Sequence, residues 1–146
     1  PVDEQLALAR SLGVAHTVNP AGADAVAGIL SITGGRMAEA VIECSGDARA
    51  IRGAVDYVSY AGHIALVGWP KGDIPMPTAL FTKKELTVRG SRNSVGQFPE
   101  SLRLIAEGKV NVEALLTRTV SMDETPAIVA DIAAHPEKYL KVTCVL

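Results

Sequence analysis

The chain has 146 residues, of which 48% are hydrophobic and 4% aromatic, a composition that predicts one folded domain with an α/β interior. A net charge of −2 leaves no basic surface, so we expect neither nucleic acid nor an anionic membrane as a partner. The apolar runs are far shorter than a membrane span, and no charged-then-apolar leader precedes them. We therefore expect a cytoplasmic protein.

Helical and strand-like patterns alternate through the first part of the chain. Apolar residues at helical spacing predict three helices: one that starts at residue 2 or 3 and stops at Gly13, one in "ADAVAGILSITGG", and one in "DARAIRGAVDYVSY" that is closed by Ala61 and Gly62. Short β-branched runs predict strands at 16–18, in "AEAVIECSG", in "HIALVG" and in "ELTVRGS".

The strand "HIALVG" is apolar at nearly every position rather than at every second one. Such a pattern indicates burial on both faces, which is typical of a parallel sheet covered by helices. With right-handed crossovers, the β-α-β-α-β order predicts a doubly wound layer.

The pattern after Ser94 is less regular. Here we predict a helix in "GQFPESLRLIAEGKV", a strand in "ALLTRTVSM", a helix in "DETPAIVADIAAH" and a final strand in "YLKVTCVL". We interpret the last strand-helix-strand unit as a flank of the sheet. The predicted domains are residues 1–108 and 109–146.

The two cysteines and three histidines give no sign of a metal or disulfide site. Cys44 and Cys144 each lie in a strand-like run and form no pair motif, so we expect two buried, reduced thiols. The histidines are dispersed, which favours surface or turn positions. No metal ligand and no catalytic residue is predicted in this chain.

Small residues follow three of the predicted strands, where a cofactor would approach the backbone of a doubly wound sheet. These strand ends are Cys44-Ser45-Gly46, Val67-Gly68-Trp69-Pro70 and Gly90-Ser91-Arg92-Asn93. One such end is ordinary turn chemistry, but three in succession indicate a nucleotide-type site. Glu43, which precedes the first of them, is interpreted as a hydrogen-bonded strand-end carboxylate in preference to a catalytic one.

Two parts of a dinucleotide site are missing from the sequence. A Gly-rich turn after the first strand normally binds the pyrophosphate, and an acid after the second strand binds the ribose. Gly34 and Gly35 cannot replace that turn, because they follow a helix. The stretch "CSG" also lacks the rest of a nucleophile elbow.

Seven blocks in order, among them "LALARSLGVAHTVNP", "AEAVIECSG", "GHIALVGWP", "KELTVRGS" and "FPESLRLIAEGKV", resemble the C-terminal two-fifths of zinc-type medium-chain alcohol dehydrogenases. The resemblance covers essentially the whole chain and is strongest to the sorbitol, threonine and galactonate dehydrogenase branches. It implies an incomplete Rossmann-type sheet whose first two strands, Gly-rich turn and ribose-binding acid precede Pro1. It also implies that the zinc ligands lie in an absent catalytic domain, so the chain alone is expected to be inactive.

The resemblance also implies roles for residues that are present. Cys44, Ser45 and Gly46 would flank the adenosine, and the region of Val67, Gly68 and Trp69 would line the nicotinamide pocket. The main chain around Arg92, at Ser91 and Asn93, would bind the carboxamide, and Lys141 would lie near the pyrophosphate. Trp69 stands where the family commonly has a smaller aliphatic residue.

The resemblance implies a hydride transfer between a secondary alcohol, such as a polyol or sugar acid, and a nicotinamide cofactor. NAD is favoured over NADP, because no Arg or Lys precedes Arg10. The parent protein would be a homo-oligomer, a dimer or tetramer, with zinc bound outside this chain. The alternatives are a zinc-independent quinone or enoyl reductase of the same superfamily and a non-catalytic nucleotide-binding module.

Overall fold

The computed structural model describes residues 3–146 and divides them into two compact units, residues 3–93 and residues 94–146. The predicted domains 1–108 and 109–146 divide the chain at a different point, and that assignment stays a prediction.

The first unit contains four helices and three strands. They are α1 (Asp3–Ser11), α2 (Ala25–Ile32), β1 (Ala38–Glu43), α3 (Ala48–Tyr57), β2 (Val58–Leu66), α4 (Thr78–Lys84) and β3 (Thr87–Gly90). The first helix is described from Asp3, and its predicted start at residue 2 lies outside the described residues. Gly13 follows α1 with a φ of 96°, so it ends the helix as predicted.

The three strands form one parallel sheet in the order β1-β2-β3. Val41 pairs with Ile64, and Ile64 pairs with Val88. The β-α-β-α-β unit predicted from the apolar runs is therefore confirmed, and the architecture is that of an incomplete Rossmann-type sheet.

One face of this sheet carries the core of the unit. Ala54 and Val55 of α3 pack with Val58 and Ile64 of β2 in a fully buried cluster, around which partly buried apolar residues of β1, β3 and α4 are arranged. The α3 helix begins where the Asp47 carboxylate accepts hydrogen bonds from the backbone N–H groups of two following residues. Its apolar positions lie three and four residues apart, so they all face the sheet.

A lysine from the next helix ties the end of α3 to the sheet. Lys84 donates hydrogen bonds from its ammonium group to the carbonyl oxygens of Val55, at 2.8 Å, and Val58, at 2.9 Å. The last carbonyl groups of a helix have no partners within the helix, so a cation at this position both satisfies and stabilises them.

Two expectations about secondary structure are wrong. Residues 16–18 form no strand, because a strand requires a neighbour and no described segment pairs with them. The third helix ends at Tyr57 instead of at Ala61 and Gly62, because Val58 already has extended backbone angles and begins β2.

The expected burial of the sheet on both faces is also wrong. Ile64 is buried against α3, but Ile42 on the opposite face is 67% exposed and His63 is exposed. Alternate residues of a strand point to opposite faces, and the described helices cover only one of them.

The expectation that both cysteines are buried is wrong, although both are free as predicted. Cys44 is exposed just beyond the end of β1, and Cys144 is exposed in a two-stranded sheet.

The second unit contains α5 (Phe98–Ala106), β4 (Leu116–Ser121), α6 (Thr125–Ala134) and β5 (Lys141–Val145), with short 3-10 turns at Glu113–Leu115 and Pro136–Lys138. β4 and β5 pair in parallel, and α6 connects them. Val120 and Ile128 are buried in this unit. The predicted strand-helix-strand order of this segment is confirmed.

Candidate functional site

The carboxyl ends of the three strands meet at one edge of the sheet. Glu43, the last residue of β1, pairs with Leu66 of β2, and Leu66 pairs with Gly90, the last residue of β3. All three predicted strand-end segments therefore leave the sheet at the same level, as expected for a site at the carboxyl edge of a doubly wound sheet.

The side chain of Glu43 organises the turn after β1. This carboxylate is only 6% exposed, and it accepts hydrogen bonds from the backbone N–H of Ser45, at 2.7 Å, from the Ser45 hydroxyl, and from the backbone N–H of Gly46, at 3.2 Å. A buried carboxylate is tolerated when its oxygens are hydrogen-bonded in this way. The prediction of a hydrogen-bonded strand-end carboxylate is confirmed.

The backbone of the same residue fixes the turn after β2. The carbonyl oxygen of Glu43 accepts hydrogen bonds from the backbone N–H groups of Val67, at 2.8 Å, and Gly68, at 2.9 Å. Glu43 thus holds two of the three strand ends together, one through its carboxylate and one through its carbonyl group. The sequence shows only an acid in an apolar strand, which does not reveal this double role.

Two glycines allow these turns to touch. A Cβ on Gly68 would lie 2.1 Å from the backbone nitrogen of Gly46 and 2.7 Å from Oε2 of Glu43. A Cβ on Gly46 would lie 2.6 Å from the carbonyl oxygen of Trp69, and Gly46 also has a φ of 69°. Both positions therefore require glycine.

The third strand end is attached to the second by its backbone. The N–H of Ser91 donates to the carbonyl oxygen of Leu66 at 2.9 Å, and Asn93 turns the chain with a φ of 55°. Among residues 3–146, the carbonyl groups of Val67 and Ser91 and the N–H of Asn93 have no hydrogen-bond partner. Two acceptors and one donor are thus available beyond the sheet, which is the set that a carboxamide requires.

An aromatic and a cationic side chain border the same edge. Trp69 is 73% exposed, and the guanidinium carbon of Arg92 lies 4.3 Å from the centre of its ring. This distance is that of a cation–π contact. The sequence placed both residues at strand ends but did not reveal the contact between them.

A cavity of about 650 Å³ lies beside the first strand end and includes Ser45. Its other lining residues are Pro20, Ala21, Asp47, Arg49, Ala50 and Tyr57. The Arg49 side chain, 3.3 Å from the Asp47 carboxylate, together with backbone N–H groups at the start of α3, holds the pKa of Asp47 below its ordinary value. Sequence analysis used Asp47 only as a helix start, and the cavity adds it to the candidate site.

The predicted site residues fall into both units. Cys44 to Gly46, Val67 to Trp69 and Ser91 to Asn93 lie in the first unit, whereas Lys141 is the exposed first residue of β5 in the second. Within the described part of the chain, no group of three or more His, Cys, Asp or Glu side chains could hold a metal ion. None of the helices in residues 3–146 is long and apolar enough to cross a bilayer.

Comparison with known proteins identifies the family. The family described as zinc-binding dehydrogenase matches residues 1–107, and the chain belongs to it. The chain is 44% identical over 144 residues to an uncharacterized zinc-type alcohol dehydrogenase-like protein of Haemophilus influenzae, an alignment that covers 99% of this chain and 42% of that protein.

One further relative and one solved structure are similar to the chain. A D-xylulose reductase of Morganella morganii is 30% identical over 84% of this chain and 37% of its own length. The fold also matches a short-chain alcohol dehydrogenase of Escherichia coli CFT073 complexed with NADH, with a TM-score of 0.85 and 21% identity over 97% of this chain and 41% of that one. The chain thus spans about two-fifths of the length of the proteins that it resembles.

Proposed function

We propose that this chain is the C-terminal part of an NAD-dependent, zinc-type dehydrogenase that oxidises a secondary alcohol, a polyol or a sugar acid. The observation that carries the proposal is the set of unpaired backbone groups at Val67, Ser91 and Asn93, which lie beyond strand ends that leave the sheet in register. Membership of the zinc-binding dehydrogenase family supports the same reaction class.

In this proposal the strand ends hold the two halves of the cofactor. The carbonyl groups of Val67 and Ser91 accept from the carboxamide nitrogen, and the N–H of Asn93 donates to the carboxamide oxygen. Gly68, Trp69 and Arg92 surround the nicotinamide, and Cys44, Ser45 and Gly46 border the adenosine. The pyrophosphate role of Lys141, a residue of the second unit, stays a prediction from the family resemblance.

The nicotinamide, when bound, supplies the hydride acceptor. This chain contributes orientation through backbone groups held by the Glu43 hydrogen bonds. We propose that NAD is preferred over NADP because the first basic residue of the chain, Arg10, lies in the last turn of α1 and donates to the Thr17 hydroxyl. No cation of residues 3–9 is thus available for a 2′-phosphate.

Zinc does not fit the side chains that the structure describes, since residues 3–146 bring no set of donors together. We propose that residues outside this chain bind zinc in the parent protein, that this protein is a cytoplasmic homo-oligomer, and that the 146-residue chain alone has no activity. The first alternative, a zinc-independent quinone or enoyl reductase, would use the same cofactor edge. The second alternative is a nucleotide-binding module without a reaction.

Steady-state kinetics on the full-length protein test the proposal. The assay follows NADH formation with a panel of polyols and sugar acids, before and after chelation of zinc, and repeats each measurement with NADP. We expect NAD-dependent oxidation that chelation abolishes and zinc restores. Reduction of quinones or enoyl compounds that is insensitive to chelation would support the first alternative, and nucleotide binding without any turnover would support the second.

A further inference from the structure

The Trp69–Arg92 contact joins the ends of two neighbouring strands at the candidate site. Trp69 follows Gly68 at the end of β2, and Arg92 lies between Ser91 and Asn93 at the end of β3. Because Leu66 pairs with Gly90, both side chains leave the sheet at the same level. The contact therefore lies next to the backbone groups to which the nicotinamide carboxamide is assigned.

The guanidinium group of Arg92 has no carboxylate partner within the described part of the chain. No carboxylate of residues 3–146 forms a salt bridge with its guanidinium group, whereas Arg49, Arg103 and Arg118 each form at least one. Stacking on the indole ring occupies a face of the guanidinium plane but leaves the N–H groups in that plane free to donate. Arg92 is thus an available and partly immobilised donor.

A guanidinium group in this state matches a planar or tetrahedral oxyanion. Its parallel N–H groups bind a carboxylate or a phosphate in a bidentate manner, and holding the side chain in advance reduces the entropy lost on binding. In hydride transfer the reacting carbon lies against the nicotinamide ring, so side chains that border the ring contact the substrate.

We propose that Arg92, held by Trp69, binds an anionic end group of the substrate, so that the enzyme acts on hydroxy acids or sugar phosphates in preference to neutral polyols. This inference rests on the proposed function and narrows its substrate class. Arg92 is assigned as a specificity residue and Trp69 as the residue that positions it.

The test compares charged and neutral substrates of the same length in the full-length protein. The panel contains four- to six-carbon aldonates, the matching alditol phosphates and the matching neutral alditols, each assayed with NAD at saturation. The variants are Arg92→Gln, Arg92→Lys and Trp69→Leu. Arg89→Gln is the matched control, because Arg89 is exposed on β3 and lines the sheet face together with Ile42 and His63.

We expect the wild-type protein to prefer one anionic series over the neutral alditols by about 10- to 100-fold in kcat/KM, the range that a charged hydrogen bond provides. Arg92→Gln should abolish this preference, because it should lower kcat/KM for the anionic series about 10- to 100-fold more than for the alditols. Arg92→Lys should retain part of it, and Trp69→Leu should raise the KM for the anionic substrate about two- to fivefold. Arg89→Gln should behave as the wild type.

Preference for the aldonates would identify the anion as a carboxylate, and preference for the alditol phosphates would identify it as a phosphate. A wild-type preference for neutral alditols would overturn the inference and leave the proposed function intact. An Arg92→Gln variant that loses anionic and neutral activity by the same factor, so that the preference is unchanged, would assign Arg92 to the cofactor alone and also overturn it. Absence of turnover with every substrate and either cofactor would overturn the proposed function itself.

Discussion

Gly46 and Gly68 are in direct backbone contact at the carboxyl edge of the sheet. A Cβ added to Gly68 would lie 2.1 Å from the nitrogen and 2.8 Å from the Cα of Gly46. Neither neighbour is the end of a flexible side chain, so the turns after β1 and β2 would have to separate. The contact explains how two loops from different strands form one continuous surface.

Replacing Gly68 with alanine should therefore destabilise the protein. We expect Gly68→Ala to lower the free energy of unfolding by about 2–3 kcal/mol, as overpacking of a rigid site does. The measurement is denaturant unfolding of the full-length protein, with Gly72→Ala as the control. A Cβ on Gly72 would meet no atom within 4 Å. Equal stabilities of the two variants would show that the turns do not touch in solution.

The Glu43 carboxylate should hold the site together in a manner that glutamine cannot reproduce. In Glu43→Gln one carboxylate oxygen becomes an NH₂ group, which would face an N–H donor in this turn. We expect a loss of about 1–3 kcal/mol in stability, the range for leaving a buried polar group unpaired, and a raised KM for NAD.

The matched control is Glu39→Gln, since Glu39 lies exposed on the same strand. Both variants lose one negative charge, so any difference between them reports on the strand-end turn. A Glu43→Gln protein with the stability and cofactor KM of Glu39→Gln would refute the organising role of this carboxylate.

A substitution at Gly90 should affect cofactor binding without disturbing the packing of the protein. A Cβ on Gly90 meets nothing within 4 Å, and its φ is not positive, so Gly90→Val should fold with nearly unchanged stability. If the cofactor approaches this strand end, the branched side chain should raise the KM for NAD about tenfold, or about 1.4 kcal/mol in binding. Ser91→Ala is the control, because only the backbone of Ser91 is assigned to the carboxamide. Equal KM values for both variants would count against a cofactor at β3.

In the second unit, Asp131 and Tyr139 should titrate as a pair. The Tyr139 hydroxyl donates to the Asp131 carboxylate, which lowers the pKa of Asp131 and raises that of Tyr139. Because the pKa of Asp131 is lower in the folded state, this group stabilises the protein at pH values above its unfolded-state pKa. The stabilisation is lost as the pH falls through its folded-state pKa. Because the pKa of Tyr139 is higher in the folded state, this group stabilises the protein at pH values below its unfolded-state pKa. That stabilisation is lost as the pH rises through its folded-state pKa.

NMR titration of the Asp131 carboxyl group measures this effect. We expect its pKa to rise towards the ordinary value in Tyr139→Phe, and the acid destabilisation of the wild-type protein to become less steep. The exposed Tyr60→Phe is the control. A pKa of Asp131 that is the same in the wild type and in Tyr139→Phe would mean that the hydrogen bond is absent.

Sequence analysis predicted the parallel sheet and the three strand ends because both depend on local patterns. Apolar β-branched runs followed by small residues predict a strand and its end without knowledge of the neighbours. Residues 16–18 carry the same pattern but form no strand, since pairing depends on a partner and not on the segment itself. Val58 to Tyr60 fit both a helical and a strand period, so the end of α3 could not be located from the pattern alone.

The contacts that build the site could not be predicted from local sequence patterns. The Glu43 carbonyl group and the Trp69–Arg92 stack each join residues that the fold brings together from two strands. The bonds of the Glu43 carboxylate are local to the turn after β1, but they depend on a side-chain direction. One sequence places these residues at strand ends but does not specify side-chain directions there. The uncovered sheet face around Ile42 was missed because the apolar pattern of a strand reflects the burial that a full sheet would provide, and the described helices cover one face only.

A crystal structure of the full-length protein with NADH tests the central claim most directly. The account predicts the carboxamide nitrogen within about 2.7–3.2 Å of the Val67 and Ser91 carbonyl oxygens, and its oxygen within the same distance of the Asn93 nitrogen. A nicotinamide bound elsewhere, or a carboxamide that contacts none of these three backbone groups, would contradict it.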